Sequence, residues 1–240
     1  MSVPAPVMRT IGILGGIGPQ ATMDLEARIH RVAQQVVKQH ANTGYPPLLT
    51  VYMRHPPVLV SSDGKPLAPL AIDPRVLDTA RRLGEWADFI VIPSNTPHLF
   101  LDPIHKASGR KIISIIDVTV EALRSRGADA VGLVGLGIPQ VYVDRLRSEG
   151  LRAITASQGA RDALDRAILR LMEGEDTDDC RNAAGEAVEE VRSAGAPVTV
   201  LGCTEIPLLL GEAAEADDLI NPAQLLAEAA VRFALEGSSG

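Results

Sequence analysis

The sequence predicts an α/β protein made of two similar halves, each a mostly parallel sheet flanked by helices. Apolar strand patterns alternate with helical patterns along the chain, which is typical of parallel sheets. Two pairs of motifs recur in the same order, which indicates a duplicated unit. Hydrophobic residues make up 46% of the 240 residues, but aromatic residues only 3%. The core is therefore expected to be aliphatic, as in sheets that are buried on both faces.

The predicted elements follow each other as two α/β halves require. The patterns predict strands at 9–15, 48–53, 88–93, 111–116, 130–135, 151–155 and 197–202. They predict helices at 19–40, 74–86, 119–126, 139–149, 159–173, 178–194 and 222–236. Ligands of open parallel sheets bind beyond the carboxyl ends of the strands. Residues that directly follow a strand are therefore the first candidates for a site.

Two pairs of motifs show the internal similarity. Residues 11–20 read IGILGGIGPQ and residues 131–140 read VGLVGLGIPQ, at an offset of 120. Residues 89–94 read FIVIPS and residues 198–203 read VTVLGC, at an offset of 109. The offsets differ by 11, so the first half has about 11 more residues between its two motifs than the second half, and we expect them to form an additional loop. The segment 54–74 is rich in proline, serine and glycine, and it is the natural place for that loop.

The repeats also predict how the chain divides. We expect a first α/β domain at 1–117, a second α/β domain at 118–220, and a C-terminal helix at 221–240 that packs back on the first domain. A two-fold relation between the halves would bring the carboxyl ends of their strands together at one cleft. Ser94 and Cys203 each follow a strand of the second motif pair, and we expect them to face each other across this cleft.

Composition excludes several classes of partner and site. The net charge is −7 and no block of basic residues occurs, which argues against nucleic acid and anionic membranes as partners. No apolar run has the length of a membrane span, and residues 1–10 lack the apolar stretch of a signal peptide. Cys180 and Cys203 are the only cysteines, so we expect neither a disulfide framework nor a zinc site. The lack of a disulfide framework favours a cytoplasmic location. No histidine or carboxylate cluster has metal spacing, so we expect no metal.

A glycine turn follows the first strand and matches a nucleotide-binding pattern. Residues 16–21 read GIGPQA, which fits the dinucleotide pattern G-x-G-x-x-G/A. That pattern also needs an acidic residue at the end of the next strand, but no Asp or Glu occurs between Glu26 and Asp63. Arg54 could meet a 2′-phosphate instead, which keeps NADP as an alternative. We favour a tight turn that binds a small carboxylate through the amides of Gly16 and Ile17, without a cofactor.

Three motifs together resemble the aspartate/glutamate racemase family. They are GGIGPQAT at 15–22, PSNTPH at 93–98 and GCTEIP at 202–207, in the order and spacing of that family. They span most of the chain, and the GCTE sequence at a strand end is the most specific of them. The resemblance implies two pseudo-symmetric α/β domains with the active site in the cleft between them. It also implies a homodimer that works on a small amino acid without pyridoxal phosphate.

The chemistry of the family requires two acid/base groups. One cysteine thiolate removes the proton from the substrate α-carbon, and a second cysteine returns a proton from the opposite face. On the family pattern Cys203 takes the place of the second cysteine, whereas Ser94 takes the place of the first. A hydroxyl transfers protons less readily than a thiol near neutral pH unless a neighbour activates it. His98 either activates Ser94 or hydrogen-bonds the backbone of the turn.

The matched motifs also supply groups that can hold a substrate carboxylate. The candidate binding residues are Gly16, Ile17, Asn95, Thr96, Thr204 and Arg54. Other places depart from the family pattern: Leu136 and Pro139 stand where threonines are usual, and Met172 stands where a carboxylate-binding lysine is frequent. Glu205 either orients the thiol of Cys203 or caps a helix. The departures weaken the case for a second substrate carboxylate.

The sequence therefore leaves three functions open. The first is a racemase or epimerase of a small amino acid such as aspartate or glutamate, with Cys203 as one acid/base and Ser94 as the other. The second is a cofactor-independent decarboxylase or cis-trans isomerase of a small dicarboxylic acid, which needs only the thiol of Cys203. The third is a non-catalytic homologue that binds small acids. Exchange of the α-proton with solvent distinguishes the first from the other two.

Overall fold

A computed structural model describes residues 8–39, 41, 43–62 and 65–236. The chain forms two compact units. Unit 1 consists of Met1–Ser114 and Ala223–Gly240, and unit 2 consists of Ile115–Pro222. Unit 2 is thus continuous in sequence, whereas unit 1 is completed by a segment that follows unit 2. The domain boundaries at residues 117 and 220 that we expected from the sequence stay a prediction.

Unit 1 contains a four-stranded parallel sheet with strand order β2-β1-β3-β4. Its strands are β1 (Ile11–Gly15), β2 (Leu48–Tyr52), β3 (Phe89–Val91) and β4 (Lys111–Ile113). Its helices are α1 (Pro19–Val36), α2 (Pro74–Gly84), α3 (Leu101–Ser108) and, apart from its first residue, α9 (Pro222–Leu235), and a 3-10 helix covers Thr96–Phe100. Leu14, Ile90, Ile92 and Ile104 are fully buried and belong to one aliphatic core.

Unit 2 repeats this arrangement with strand order β6-β5-β7-β8, again all parallel. Its strands are β5 (Ala130–Val134), β6 (Arg152–Thr155), β7 (Thr199–Leu201) and β8 (Leu219–Ile220). Its helices are α4 (Ile115–Ser125), α5 (Gln140–Ser148), α6 (Gln158–Met172), α7 (Asp178–Ser193) and α8 (Ile206–Leu210), and a 3-10 helix covers Gly211–Glu215. In each unit the first strand lies between the second and the third. The predicted fold class, two similar parallel α/β halves, is confirmed.

The structure differs from the sequence-based elements in one apolar run. The strand predicted at 111–116 ends at Ile113, and Ile115 and Ile116 instead begin α4. Their side chains are buried together with those of Val120 and Leu123 on one face of the helix. A short unbroken apolar run fits a buried strand and a buried helix equally well, so its pattern did not show where the strand ends.

The segment 54–74, where we expected the additional residues of the first half, has little regular structure, but the expectation is wrong. Unit 1 is longer before this segment: 32 residues separate β1 from β2, against 17 between β5 and β6. The connection from β2 to β3, which contains the segment, has 36 residues and is shorter than the 43 between β6 and β7. Within the described part of segment 54–74, two isolated antiparallel bridges pair Val58 with Ile72 and Val60 with Pro66. The segment ends at Asp73, whose side chain caps α2 by accepting a hydrogen bond from the Arg75 amide at 2.9 Å. The loop therefore leaves the sheet after β2 and returns directly into a capped helix.

Helix α9 packs within unit 1. The Arg9 amide donates a hydrogen bond to the Ala234 carbonyl at 3.0 Å. The ring of Phe233 meets the buried ring of Phe89 edge-on, with centroids 4.9 Å apart, and the Arg9 guanidinium lies 4.3 Å from the Phe233 centroid. None of the helices in the described part of the chain combines the length and the apolar character that crossing a membrane requires.

Candidate active site

The candidate residues of unit 1 follow three neighbouring strands. Gly16 and Ile17 come directly after β1, Arg54 follows β2, and Ser94 follows β3. These strands are adjacent and parallel, so their carboxyl ends lie at one edge of the sheet. The structure thus brings these residues to the same edge of unit 1. Cys203 belongs to unit 2, and its expected position opposite Ser94 stays a prediction.

The first glycine turn is tied to its own helix. Gly16 adopts φ +77°, and a Cβ there would lie 2.4 Å from the Met53 nitrogen, which only glycine avoids. The Thr22 hydroxyl accepts a hydrogen bond from the Gly16 amide and donates one to the Gly18 carbonyl, both at 2.9 Å. The side chain of Ile17 packs against the unit 1 core. The Gly16 amide is therefore already engaged by Thr22, and carboxylate binding by Gly16 and Ile17 stays a prediction.

The turn after β3 is held by His98. Its Nδ1 donates to the Ser94 carbonyl at 2.8 Å, and its backbone amide donates to the Asn95 carbonyl at 3.0 Å. This contact confirms the interpretation that His98 hydrogen-bonds the turn backbone. Ser94, Asn95 and Thr96 are half-buried, and Thr96 is the first residue of the 3-10 helix. The turn is thus fixed while its three polar side chains stay partly open to solvent.

Arg54 offers a cation at the same edge of unit 1. Arg54 is exposed, and its guanidinium forms no ion pair within the part of the chain that the structure describes. The next residue is anchored, because His55 Nδ1 contacts the Pro56 carbonyl at 2.9 Å and lies 4.0 Å from Asp73 Oδ2. A guanidinium on an anchored loop is well suited to bind a carboxylate.

In unit 2 a second glycine turn, residues 135–139, follows β5, and Cys203 follows the adjacent strand β7. The Gly202 amide donates to the Val134 carbonyl at 2.6 Å. A Cβ on Gly135 would lie 2.3 Å from Pro139 Cγ and 3.0 Å from the Gly202 carbonyl oxygen. Glycine at position 135 therefore allows the turn to pack directly against the backbone that carries Cys203.

The thiol of Cys203 is surrounded by hydrogen-bonding groups. Its Sγ donates to Glu205 Oε2 at 3.0 Å, and the Thr204 hydroxyl donates to the same oxygen at 3.1 Å. The backbone amides of Leu136 and Glu205 favour the thiolate form of Cys203. Glu205 is only 5% exposed, and its side chain makes no capping hydrogen bond to α8. Of its two expected roles, Glu205 contacts the thiol and does not cap the helix.

This environment changes the acidity of the thiol. Burial raises the pKa of Cys203 well above its usual range, and the negative charge and hydrogen bond of Glu205 raise it further. The two backbone amides oppose this rise because they stabilise the thiolate. Cys203 is consequently a protonated thiol near neutral pH. It can donate a proton, and the Glu205 carboxylate is the acceptor in contact with it.

Tyr142 lies on helix α5, which follows the second glycine turn. It is fully buried, and burial raises its pKa above the ordinary value. It hydrogen-bonds Thr119, and a negative charge on Cys203 would raise its pKa further. The Thr119 hydroxyl in turn donates to the Ile115 carbonyl at 2.7 Å. The buried side of the site is thus polar but internally hydrogen-bonded.

Sequence reasoning missed Asp165. Its Oδ1 accepts a hydrogen bond from the Gly137 amide at 2.7 Å and so ties the second glycine turn to helix α6. No spacing signal links residues so distant in sequence, and only the fold brings them together. Among the described residues, no group of three or more His, Cys, Asp or Glu side chains is arranged to hold a metal ion.

Comparisons with known proteins agree with this architecture. The family model described as Asp/Glu/Hydantoin racemase matches residues 14–230. The broad specificity amino-acid racemase RacX of Bacillus subtilis (strain 168) is 24% identical over 226 residues, which cover 92% of this chain and 96% of RacX.

Solved structures share the fold. An aspartate racemase homologue from Pyrococcus horikoshii OT3 superposes with a TM-score of 0.72 at 22% identity, and the match covers 95% of this chain and 99% of that chain. An arylmalonate decarboxylase superposes with a TM-score of 0.50 at 16% identity, covering 94% and 92% of the two chains. The resemblance seen in the sequence motifs is confirmed: the chain belongs to the Asp/Glu/Hydantoin racemase family and is an enzyme of the isomerase type.

Proposed function

We propose that the protein interconverts the two configurations at the α-carbon of a small amino acid, with Cys203 as a proton-transferring group. The observation that carries this proposal is the Cys203 site. A half-buried thiol follows a parallel strand and lies 3.0 Å from a buried carboxylate that can take its proton. Family membership supports the proposal, and so does the printed name of the relative RacX, a broad specificity amino-acid racemase.

In the proposed reaction Cys203 works in both directions. To remove the α-proton, the thiol first passes its own proton to Glu205, and the thiolate then takes the proton from the substrate. The Cα–H bond breaks, and its electron pair is delocalised into the substrate carboxylate. To return a proton, the thiol protonates this carbanion and becomes a thiolate. The amides of Leu136 and Glu205 stabilise the thiolate in each direction.

Inversion needs a second acid/base group that works on the other face of the α-carbon, and we assign this role to Ser94. A hydroxyl is the weaker partner, so one enantiomer is expected to exchange its α-proton faster than the other. We assign carboxylate binding to the remaining candidates from the sequence. They are Gly16, Ile17, Asn95, Thr96, Thr204 and Arg54.

The proposal needs no pyridoxal phosphate, because a thiol and hydrogen-bond donors can generate and hold the carbanion. We also propose a cytoplasmic location, which suits a chain without a disulfide framework, and a homodimer, as the family resemblance implies. Light scattering of the purified protein measures the mass in solution, and a monomer would contradict the second part of this proposal.

The test follows carbon-bound protons by NMR while the protein is incubated in heavy water with a panel of small amino and dicarboxylic acids. Cys203→Ala is compared with Cys180→Ala, because Cys180 is the other cysteine and is 1% exposed among core side chains of unit 2. We expect α-proton exchange in the wild type and Cys180→Ala but none in Cys203→Ala. A product that has lost one carboxylate would indicate decarboxylation by the same thiol. Binding without exchange or product would indicate a non-catalytic homologue.

Replacing Ser94 by Cys tests the second acid/base position. A thiol transfers protons more readily than a hydroxyl, so Ser94→Cys is expected to raise the rate of inversion at least about tenfold. The rate is measured as the change in optical rotation or on a chiral column. Ser94→Ala is the control and is expected to lose inversion. Equal inversion rates in Ser94→Ala and the wild type would remove Ser94 from the mechanism.

A further inference from the structure

We propose that the substrate carries an apolar group on its α-carbon, and that Leu136 and Ile138 of the second glycine turn bind this group beside Cys203. This inference rests on the proposed function and adds to it the class of amino acid. It favours amino acids with an apolar side chain over aspartate and glutamate.

The second glycine turn lies beside the backbone that carries the reacting sulfur. A Cβ on Gly135 would lie 3.0 Å from the carbonyl oxygen of Gly202, so the turn packs against the residue that directly precedes Cys203. The Leu136 amide also lowers the pKa of Cys203, which agrees with this position. A substrate α-carbon must come within about 3.5 Å of that sulfur to transfer its proton. The group attached to the α-carbon then extends only two or three atoms before it can meet the side chains of the turn.

The turn is held in one position. Asp165 Oδ1 binds the Gly137 amide at 2.7 Å, and Gly137 has a φ of +60°, which suits glycine. On the other side, Gly135 packs against Pro139 and the Gly202 backbone. The turn is thus held at its centre by Asp165 and at its ends by the contact of Gly135 with Pro139, so Leu136 and Ile138 lie on a fixed turn rather than on a free loop.

These side chains are apolar and open to solvent. Leu136 is 45% exposed and Ile138 is 47% exposed. Tight turns usually carry polar or small residues, so two exposed aliphatic side chains around one glycine are unusual. An apolar substrate group would cover them and remove their surface from water, which is favourable. Neither side chain can donate a hydrogen bond to a carboxylate.

The charge around the thiol points to the same substrate class. The Glu205 carboxylate lies 3.0 Å from Sγ, and among the described residues no salt bridge neutralises it. A second substrate carboxylate next to Cys203 would meet this negative charge in a partly buried setting, where charges interact strongly. An uncharged apolar group meets no such repulsion.

The test compares α-proton exchange in heavy water for leucine, phenylalanine, aspartate and glutamate. We expect kcat/KM of the wild type to be at least about tenfold higher for the two apolar amino acids. Leu136→Thr and Ile138→Thr are each expected to lower the apolar-to-acidic ratio about tenfold, mainly through KM. Leu49→Thr makes the same change at an exposed site on β2, and it should leave the ratio unchanged. The thiol titration of Leu136→Thr should match the wild type, because the backbone amide remains.

The outcomes separate this inference from the proposed function. Exchange that depends on Cys203 but is faster with aspartate or glutamate would overturn the inference and leave the proposed function intact. An unchanged ratio in both Leu136→Thr and Ile138→Thr would also overturn it. If no amino acid of the panel exchanged its α-proton, the proposed function would fail and the inference with it.

Discussion

Cys203 and Thr204 donate hydrogen bonds to the same carboxylate oxygen of Glu205, at 3.0 and 3.1 Å. The Thr204 contact helps to fix the carboxylate, and the fixed carboxylate orients the thiol. Glu205 therefore influences the thiol in two ways, as a charge that keeps it protonated and as an acceptor for its proton. The same side chain thus keeps the thiol of Cys203 protonated and offers the acceptor to which the thiol can pass its proton.

Replacing Glu205 by Gln should make the thiol more acidic. The negative charge of Glu205 raises the pKa of Cys203, so its removal is expected to lower that pKa towards the ordinary value. More thiolate would then be present near neutral pH. The pKa is measured by ultraviolet thiolate absorbance against pH, in a Cys180→Ala background so that only one cysteine contributes. An unchanged or higher pKa would contradict the assigned role of Glu205.

The candidate residues differ in how visible they are in the sequence. Cys203 and Ser94 were found because both follow buried strands of matching motifs. Whether Glu205 faces the thiol or the helix depends on a side-chain direction that spacing does not give. Asp165 is 28 residues from Gly137 and carries no motif, so only packing of α6 reveals its contact with the turn. The sequence thus predicted candidate reactive groups, whereas the contacts that position them depend on the fold.

Among the elements, the second glycine turn has the largest influence on the site. It connects β5 to α5, lowers the pKa of Cys203 through the Leu136 amide and is tied to α6 through Asp165. A change on α6 should therefore alter the thiol without touching it. The matching turn of unit 1 differs, because Thr22 of its own helix holds it.

Replacing Asp165 by Ala tests this connection. Loss of the Gly137 hydrogen bond loosens the turn and weakens the effect of the Leu136 amide, which lowers the pKa of Cys203. We expect the pKa of Cys203 to rise, and kcat/KM for α-proton exchange to fall about fivefold, the equivalent of one hydrogen bond of about 1 kcal/mol. Asp165→Asn keeps an acceptor oxygen and should restore both values. If Asp165→Ala lost activity with an unchanged thiol titration, the turn would not connect α6 to the thiol.

The elements that the sequence predicted are long enough for the spacing of their hydrophobic residues to distinguish a strand from a helix. Strands and helices around the two motif pairs were placed within a few residues of their positions. Strand β8 has two residues and helix α8 has five, too few for a pattern to emerge from composition. Helix α3 follows directly on a 3-10 helix, and the change of period within that segment hides both.

At the scale of the whole molecule, one strand order occurs twice. Motif offsets of 120 and 109 were sufficient to predict the duplication, because they match strands rather than loops. The additional residues do not fall in segment 54–74, as the sequence had suggested. They fall between β1 and β2, where α1 has 18 residues and its counterpart α5 has 9. The sequence also led us to expect a C-terminal helix that packs back on the first half, but the contacts of Phe233 with Phe89 and Arg9 are visible only in the fold.

Replacing Phe233 by Ala should destabilise unit 1. The substitution removes an edge-to-face aromatic contact with the buried Phe89 and a cation–π contact with Arg9. We expect the free energy of unfolding to fall by about 2–3 kcal/mol, less than for a fully buried phenylalanine because Phe233 is half-buried. Circular dichroism during urea denaturation measures the change. Trp86→Ala removes an aromatic side chain that is 76% exposed and should have little effect, and equal losses in both variants would argue against the α9 contact.

The division of unit 1 into two segments has a consequence for biosynthesis. A ribosome delivers Ile115–Pro222 as one continuous stretch, so unit 2 can complete its sheet while the chain is still being made. Phe233 on α9, which contacts Phe89 and Arg9, leaves the ribosome only afterwards. Until then Phe89 and Arg9 lack the contacts that Phe233 provides. Nascent chains that end between residues 115 and 222 therefore carry a unit 1 that still lacks one of its helices.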